Sequence, residues 1–408
     1  MKHMIVRLGP GIIFAAQAVG VSHLVHSTRA GAGYGLSLAL FLVFITALKY
    51  PLFRFASLYS ADTGKSLIEY YKELGRIPLA LVIISVLIDM FISTAAVSLV
   101  TAGTLQNLLG INISNTIVVL GLAALIFVLV GASAYRLYER IVILLVLGFS
   151  VATLVAGGLV APSAIEAADS LFPKLEYSHS FALFLIAIAG WMPTSPSASF
   201  FLSAWSAQRR ADLGAERSVR DAAFDFNFGY ALTLLLALAF VLLGAVVLFS
   251  ANVTPETRSA IQFAGTFVRL FTDTFGPWAY MLMGGMAFIL LFTTMLTLFD
   301  GAPRVMRSAV GASLTDRRTF LVLFGVQLLG VLLIIQFFAG SFGTFIDFAA
   351  GLGFATAPFI AFLNHKAISS ADTSQAVRPG IILTLWNYAA ILVFTVIAAY
   401  FFLSGFGG

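Results

Sequence analysis

The stretch GPGIIFAAQAVGVSHLVHSTRAGAGYG, from Gly9 to Gly35, begins as an apolar membrane-spanning helix and becomes polar in its middle. Gly20, Ser22 and His23 stand where a span of about 20 residues is normally most apolar. Unwound backbone and polar groups at that depth are stable only where they are buried in protein or line a cavity. We therefore expect this first helix to be broken near residues 20–23 and to face a cavity.

The composition indicates an integral membrane protein. Of the 408 residues, 60% are hydrophobic and only 10% are charged, and the mean hydropathy is +1.00. Soluble domains carry roughly 25% charged residues. Apolar runs recur along the whole chain, which predicts a single transmembrane transporter domain over residues 1–408, surrounded by a lipid bilayer. The chain has no cysteine, which excludes disulfides and thiolate metal ligands.

Hydropathy and loop signals predict eleven spans. They are centred near Ala18, Leu42, Ser93, Leu122, Leu147, Ala189, Leu235, Phe288, Leu328, Gly353 and Ile391. With the N-terminus in the cytoplasm and the C-terminus outside, all but four of the 23 lysines and arginines lie inside or at inner helix ends. The four exceptions are Arg29, Lys174, Arg258 and Arg269. Cytoplasmic loops are enriched in these residues, so this orientation is predicted, in a plasma or inner membrane.

A second span is interrupted in the same manner as the first. In LFLIAIAGWMPTSPSASFFLSAW, Gly190, Pro193 and Pro196 break the sixth span, and serine and threonine hydroxyls surround the break. Discontinuous helices at corresponding positions of two halves are typical of inverted-repeat transporters with a midplane binding site. The predicted fold is therefore all-α and leucine-transporter-like, with a 5+5 inverted repeat: residues 1–165, residues 178–368, and an additional helix over 379–404.

Four short motifs, in this order, resemble the NRAMP family of proton-coupled divalent-metal transporters. They are GPG at Gly9–Gly11, AGA at Ala30–Ala32, TGK at Thr63–Lys65 and the pair Met192–Pro193. The resemblance covers nearly the whole chain. It implies alternating access around the two broken helices and a metal site between them.

The chain departs from the family at the metal ligands of the first helix. Counted from GPG without a gap, the metal-binding DPGN of the family falls on Gly20, Val21, Ser22 and His23. The acidic ligand is thus replaced by glycine and the asparagine ligand by histidine. Gln17 lies one turn before the lost aspartate.

Later helices keep part of the family's site. The resemblance assigns the thioether ligand to Met192 and a backbone carbonyl ligand to Ala189, while Thr194 replaces a histidine and Thr356 replaces a glutamine. The substrate-binding residues predicted in this way are Gln17, Gly20, Ser22, His23, Ala189, Gly190, Met192, Thr194 and Thr356.

The lost carboxylate leaves three functions open. A dehydrated divalent ion held by hard ligands usually needs a carboxylate, so manganese or iron transport is doubtful and a small solute or another ion is expected. Alternatively, His23 and Met192 serve as metal ligands in an importer of softer ions, which imidazole and thioether suit. A channel or a non-transporting sensor is a further alternative. No enzyme activity, cofactor or nucleic-acid partner is expected, and no oligomeric state is predicted.

Three ionisable side chains inside the spans are candidates for proton coupling. His23 and His26 lie three residues apart in the first helix, and histidine titrates near neutral pH. Asp89 lies near the middle of the third span, where an unpaired carboxylate is costly. It is positioned to replace the missing proton-pathway acids.

Overall fold

The computed structural model describes residues 9–131, 135–213, 218–253, 259–311, 317–338 and 341–404. The predicted cytoplasmic N-terminus and Arg258 lie outside these residues. Within them every regular element is helical. The α-helices are α1 (Pro10–Ala18), α2 (Thr28–Tyr34), α3 (Ala39–Thr63), α4 (Leu67–Leu74), α5 (Arg76–Ile88), α6 (Thr94–Leu109), α7 (Asn115–Gly131), α8 (Tyr135–Glu166), α9 (His179–Trp191), α10 (Ala198–Leu213), α11 (Val219–Leu243), α12 (Ala260–Phe275), α13 (Ala279–Ala309), α14 (Arg317–Phe338), α15 (Phe342–Phe354), α16 (Ala357–Ile368) and α17 (Ile381–Leu403).

Many of these helices are long and apolar enough to cross a membrane. Eight such segments occur among the described residues, and two shorter apolar helices, Asn115–Val130 and His179–Trp191, accompany them. The outside of the bundle is apolar as well: Leu40 and Phe337 are each 81% exposed. Large exposed apolar side chains around a bundle indicate contact with lipid.

The first helix is broken between α1 and a π-helix, Ser22–Ser27, which continues into α2. The interruption covers Val19 and Gly20, so it is shorter than the predicted 20–23, and the chain is helical again from Val21. The carbonyl oxygen of Ala18 has several partners at this point, the first being the backbone N–H of Gly20, which donates to it at 2.8 Å. It accepts hydrogen bonds from Ser22 Oγ at 2.6 Å and contacts His23 Nδ1 at 2.8 Å. Because these side chains satisfy the carbonyl, the helix resumes at once.

The second broken helix separates α9 from α10. Residues 192–197 are non-helical, as expected around Pro193 and Pro196, whereas Gly190, which was also expected to interrupt the span, still belongs to α9. Pro193 and Pro196 lack a backbone N–H and cannot continue the helix, which explains where it ends. This second break contacts the helical turn that follows the first break, because Ser22 Oγ lies 3.2 Å from the carbonyl oxygen of Pro193.

Glycines allow the broken helices to pack closely against their neighbours. A Cβ atom built on Gly190 would lie 2.1 Å from the carbonyl oxygen of Ala350, where α9 crosses α15. On the first helix, a Cβ atom on Gly11 would lie 2.2 Å from the carbonyl oxygen of Asp225 in α11. Small residues at helix crossings are the usual means of close packing in membranes.

The start of the first helix is anchored to α11. The Asp225 carboxylate accepts hydrogen bonds from the backbone N–H groups of Gly9 and Gly11, each at 2.9 Å. The first N–H groups of a helix have no partner within the helix and carry partial positive charge, so a carboxylate there is stabilising. We call this contact the Asp225 clamp.

We expect Gly190→Ala to destabilise the protein strongly, because its Cβ would overlap backbone atoms that cannot move away. The free energy of unfolding should fall by at least about 2 kcal/mol. The matched control is Gly121→Ala in α7, where a Cβ atom meets nothing within 4 Å. Thermal unfolding of the two purified variants checks this, and equal midpoints would contradict the close crossing of α9 and α15.

Candidate functional site

A small cavity lies where the two breaks meet. Its volume is about 40 Å³. Its walls are formed by residues of α1, α6, α9 and α13, of the π-helices Ser22–Ser27 and Asp89–Ser93, of the second break, and by Val21. The lining residues are Gln17, Val21, Ser22, Asp89, Ser93, Val97, Trp191, Thr194, Ser195, Thr294 and Leu298. Four residues singled out from the sequence are therefore brought together here: Gln17, Ser22, Thr194 and Asp89.

Asp89 is the only charged side chain among the lining residues. It begins a second π-helix, Asp89–Ser93, that joins α5 to α6, and it is 1% exposed. Its carboxylate accepts hydrogen bonds from Ser93 Oγ at 2.9 Å and from Ser197 Oγ. Ser197 belongs to the break between α9 and α10, so Asp89 links the third predicted span to the second broken helix.

Gly20, where the resemblance leads us to expect an aspartate, has little room for a larger side chain. A Cβ atom there would lie 2.8 Å from Thr294 Oγ1 and 3.4 Å from Thr294 Cβ. Thr294, on α13, thus occupies the space beside Gly20 and itself lines the cavity. A carboxylate at residue 20 would require Thr294 to move.

The ring of His23 is engaged by backbone rather than by the cavity. It is fully buried, and Nδ1 and Nε2 lie 2.8 Å from the carbonyl oxygens of Ala18 and Thr233 respectively. Nδ1 also contacts Ser22 Oγ at 2.9 Å. His23 therefore fastens the first helix to α11 in this conformation and is not among the lining residues.

The remaining predicted residues are not among those that line the cavity. Met192 is 1% exposed and Ala189 is fully buried. The carbonyl of Gly190 is taken by a lysine, described below. Thr356 lies between α15 and α16 and donates its hydroxyl hydrogen to the carbonyl oxygen of Gly353 at 2.9 Å.

His26 belongs to an ionic cluster at the other end of the first helix. Its Nε2 lies 3.2 Å from Asp347 Oδ1, and Arg29 binds both oxygens of the same carboxylate, at 2.7 and 3.0 Å. These three side chains, which we call the far cluster, join the first helix to α15. Phe184 of α9 packs under the Arg29 guanidinium, 4.7 Å from its ring centre.

Lys49 is a functional candidate that the sequence analysis missed. The count of basic residues places it at an inner helix end. This assignment is wrong, because Lys49 lies within α3 and its side chain is completely buried. Its Nζ donates to the carbonyl oxygens of Gly190 at 2.8 Å and of Thr194 at 3.1 Å, and lies 5.4 Å from the centre of the Phe354 ring. Lys49 therefore supplies the hydrogen-bond donor that the second break lacks.

The signal that would have identified Lys49 was present in LFLVFITALKYPLFRF, where one lysine interrupts an apolar run. An ionisable residue within a span is a functional hypothesis by default. Thr294 gave no comparable signal, since hydroxyls are common in membrane helices and its role follows only from its proximity to Gly20.

The site can hold a small polar ligand between neutral dipoles and one carboxylate. Among the described residues, no three histidine, aspartate or glutamate side chains are grouped closely enough to hold a metal ion. The two broken helices present carbonyl and hydroxyl dipoles beside the cavity, where these groups can bind and orient a ligand.

We expect Lys49→Met to destabilise the second break. Methionine keeps the length and apolar contacts but leaves the carbonyls of Gly190 and Thr194 without their donor, at about 1–3 kcal/mol for each buried group. Lys174→Met, at an exposed position, is the control. Thermal unfolding in detergent should show a much lower midpoint for Lys49→Met, and matching midpoints would refute this role.

The sequence and fold of the chain both match known proteins. The model of the Natural resistance-associated macrophage protein-like family, Nramp, matches residues 11–404. An uncharacterised protein of Pasteurella multocida is 31% identical over 378 residues, which cover 90% of this chain and 85% of that protein.

Solved structures share the fold at low sequence identity. A variant of the Eremococcus coleocola manganese transporter superposes with a TM-score of 0.77 at 16% identity, covering 100% of this chain and 89% of that chain. MhsT in complex with L-phenylalanine superposes with a TM-score of 0.65 at 12% identity, covering 97% and 98%. These similarities show a leucine-transporter-like fold. With the match over residues 11–404, they show that the chain belongs to the Nramp family of membrane transporters.

Proposed function

We propose that the protein is a secondary transporter that moves a small solute or ion by alternating access around the cavity between the two broken helices. The observation that carries this proposal is the direct contact of Ser22 Oγ, just after the first break, with Pro193 O in the second break, beside a cavity that both segments line. Broken helices meeting at a shared site allow one end of the bundle to open while the other stays closed.

We further propose eleven spans arranged as two five-helix halves, residues 1–165 and 178–368, with a last helix over 379–404. Eight long apolar segments, two shorter ones and the broken first helix together support this number. At one end of the bundle, Lys65 binds the Asp372 carboxylate, Lys72 donates to the Ser308 carbonyl and Arg210 donates to the Ala61 carbonyl. A basic end supports an orientation with that end, and the N-terminus, in the cytoplasm.

We propose that manganese and iron are poor substrates. The position of the family's aspartate is Gly20, and Thr294 fills the space beside it. Asp89 alone supplies a carboxylate to the cavity, on a different helix. One carboxylate among neutral groups offsets little of the cost of dehydrating a divalent ion.

A metal-ion importer is the second candidate, and the comparisons favour it. The Eremococcus coleocola protein of the same fold is a manganese transporter. Soft ligands would come from His23 and Met192, which are neighbours in sequence of the lining residues Ser22 and Trp191. Both side chains would have to turn into the cavity, and His23 would have to release a backbone carbonyl.

Among the groups proposed for proton coupling, we favour Asp89. It lines the cavity, whereas His23 contacts backbone carbonyls and His26 belongs to the far cluster. A carboxylate in contact with the substrate site couples proton binding directly to substrate binding, since its protonation changes the charge that the substrate meets.

Alternating access can be tested before any substrate is known, because the chain contains no cysteine. We expect Thr194→Cys, in the cavity, to react with a membrane-impermeant maleimide added to either side of vesicles that contain oriented protein. Ser170→Cys and Ser369→Cys, at exposed positions near opposite ends of the bundle, should each react from one side only. Labelling of Thr194→Cys from a single side under all conditions would contradict alternating access.

Direct binding separates the two candidate substrates. We expect calorimetry of the purified protein to show no saturable manganese binding at micromolar concentration, because the first helix lacks its carboxylate. Zinc and nickel should likewise bind no better to the wild type than to His23→Ala. Micromolar manganese binding that disappears in Met192→Ala would establish the metal importer instead.

A further inference from the structure

Three of the five hydroxyl groups that line the cavity have already donated their hydrogen atoms to acceptors of the protein. Ser22 Oγ donates to the carbonyl oxygen of Ala18 at 2.6 Å, and Thr294 Oγ1 donates to that of Leu290 at 3.1 Å. Ser93 Oγ donates to Asp89 at 2.9 Å. A hydroxyl has one hydrogen and two lone pairs, so these three groups can offer a ligand only lone pairs.

Two further lining groups are also acceptors. The Gln17 side chain is 6% exposed, and its Oε1 is buried without a hydrogen-bond partner. The Asp89 carboxylate receives hydrogen bonds from Ser93 and Ser197, while two carboxylate oxygens can accept about four. A buried acceptor without a donor costs about 1–3 kcal/mol, so Gln17 indicates a donor that the protein itself does not supply.

The charges around the cavity suit a ligand with a single positive charge. Asp89 faces the cavity, whereas Lys49 lies behind the second break and is bound to the Thr194 carbonyl. A divalent ion would leave one positive charge that Asp89, the single carboxylate among the lining residues, does not neutralise. A monovalent cation is neutralised by direct contact with Asp89.

The size and the apolar part of the wall limit the ligand further. A volume of 40 Å³ corresponds to roughly three water-sized groups. Val21, Val97, Trp191 and Leu298 form an apolar part of the lining. An alkali ion would make no favourable contact with this apolar part, whereas an ammonium group with a short alkyl chain would fit both parts, and the indole ring attracts cations.

We propose that the cavity binds a small protonated amine, either ammonium itself or a short primary alkylamine, with its N–H groups directed at Asp89 and Gln17 Oε1. This inference rests on the proposed function, since it takes the cavity between the breaks as the substrate site. It assigns Asp89 and Gln17 as the residues that determine specificity.

The test is binding of methylammonium to the purified, detergent-solubilised protein at constant ionic strength. We expect methylammonium and ethylammonium chloride to raise the unfolding midpoint in a saturable manner. Tetramethylammonium has the charge without N–H donors and should have no such effect, and sodium and potassium should be equally ineffective.

The variants identify the site. Asp89→Asn should weaken methylammonium binding at least tenfold, and Gln17→Leu should weaken it severalfold. Gln336→Leu, an exposed glutamine on α14, is the matched control and should bind as the wild type does. The unfolding midpoint of each variant without ligand reports whether it folds. If Asp89→Asn does not fold, Gln17→Leu still tests the site.

Two results would overturn the amine site. One is methylammonium binding that is absent, or is unchanged in both Asp89→Asn and Gln17→Leu. The other is tighter binding of sodium, potassium or manganese than of methylammonium. Because binding in detergent requires no transport, such a failure is distinct from one-sided cysteine labelling, which would reject alternating access.

Discussion

The structure depends on one requirement, that backbone groups released where a membrane helix breaks must find partners within the protein. At the first break the side chains of Ser22 and His23 contact the carbonyl oxygen of Ala18. At the second, the lysine of α3 reaches the carbonyls of Gly190 and Thr194. An unpaired amide or carbonyl in hydrocarbon costs several kilocalories per mole, so these contacts are what permit two interruptions to exist side by side.

Much of this arrangement could be predicted from the sequence. Glycine, two prolines and a group of hydroxyls mark both interruptions, and a chain this apolar must bury such features. The positions of the breaks were less predictable, because they depend on which side chains satisfy the freed carbonyls. Lys49 shows the difficulty: the count of basic residues placed it at a helix end, whereas carbonyls from a helix about 140 residues away in sequence hold it inside. Thr294 beside Gly20 is likewise a tertiary contact without a local pattern.

The carboxylate of the cavity has a different origin from the one that the resemblance led us to seek. The resemblance leads us to expect the acid on the first helix, at the position that Gly20 holds in this chain; the carboxylate that lines the cavity belongs instead to Asp89, in the π-helix between α5 and α6. A π-helix turns its side chains relative to an α-helix and is frequent at functional sites. The cavity therefore takes its charge from a helix that does not contain either break.

The two ends of the first helix are held by contacts of different physical character. The Asp225 clamp joins a carboxylate to backbone N–H groups, whereas the far cluster joins Arg29, His26 and a partly exposed Asp347. Dissolved salt screens attraction between charges near the surface, and it acts much less on buried contacts. The two ends of the first helix are therefore held with different sensitivity to ionic strength: added salt weakens the far cluster and leaves the Asp225 clamp almost unchanged.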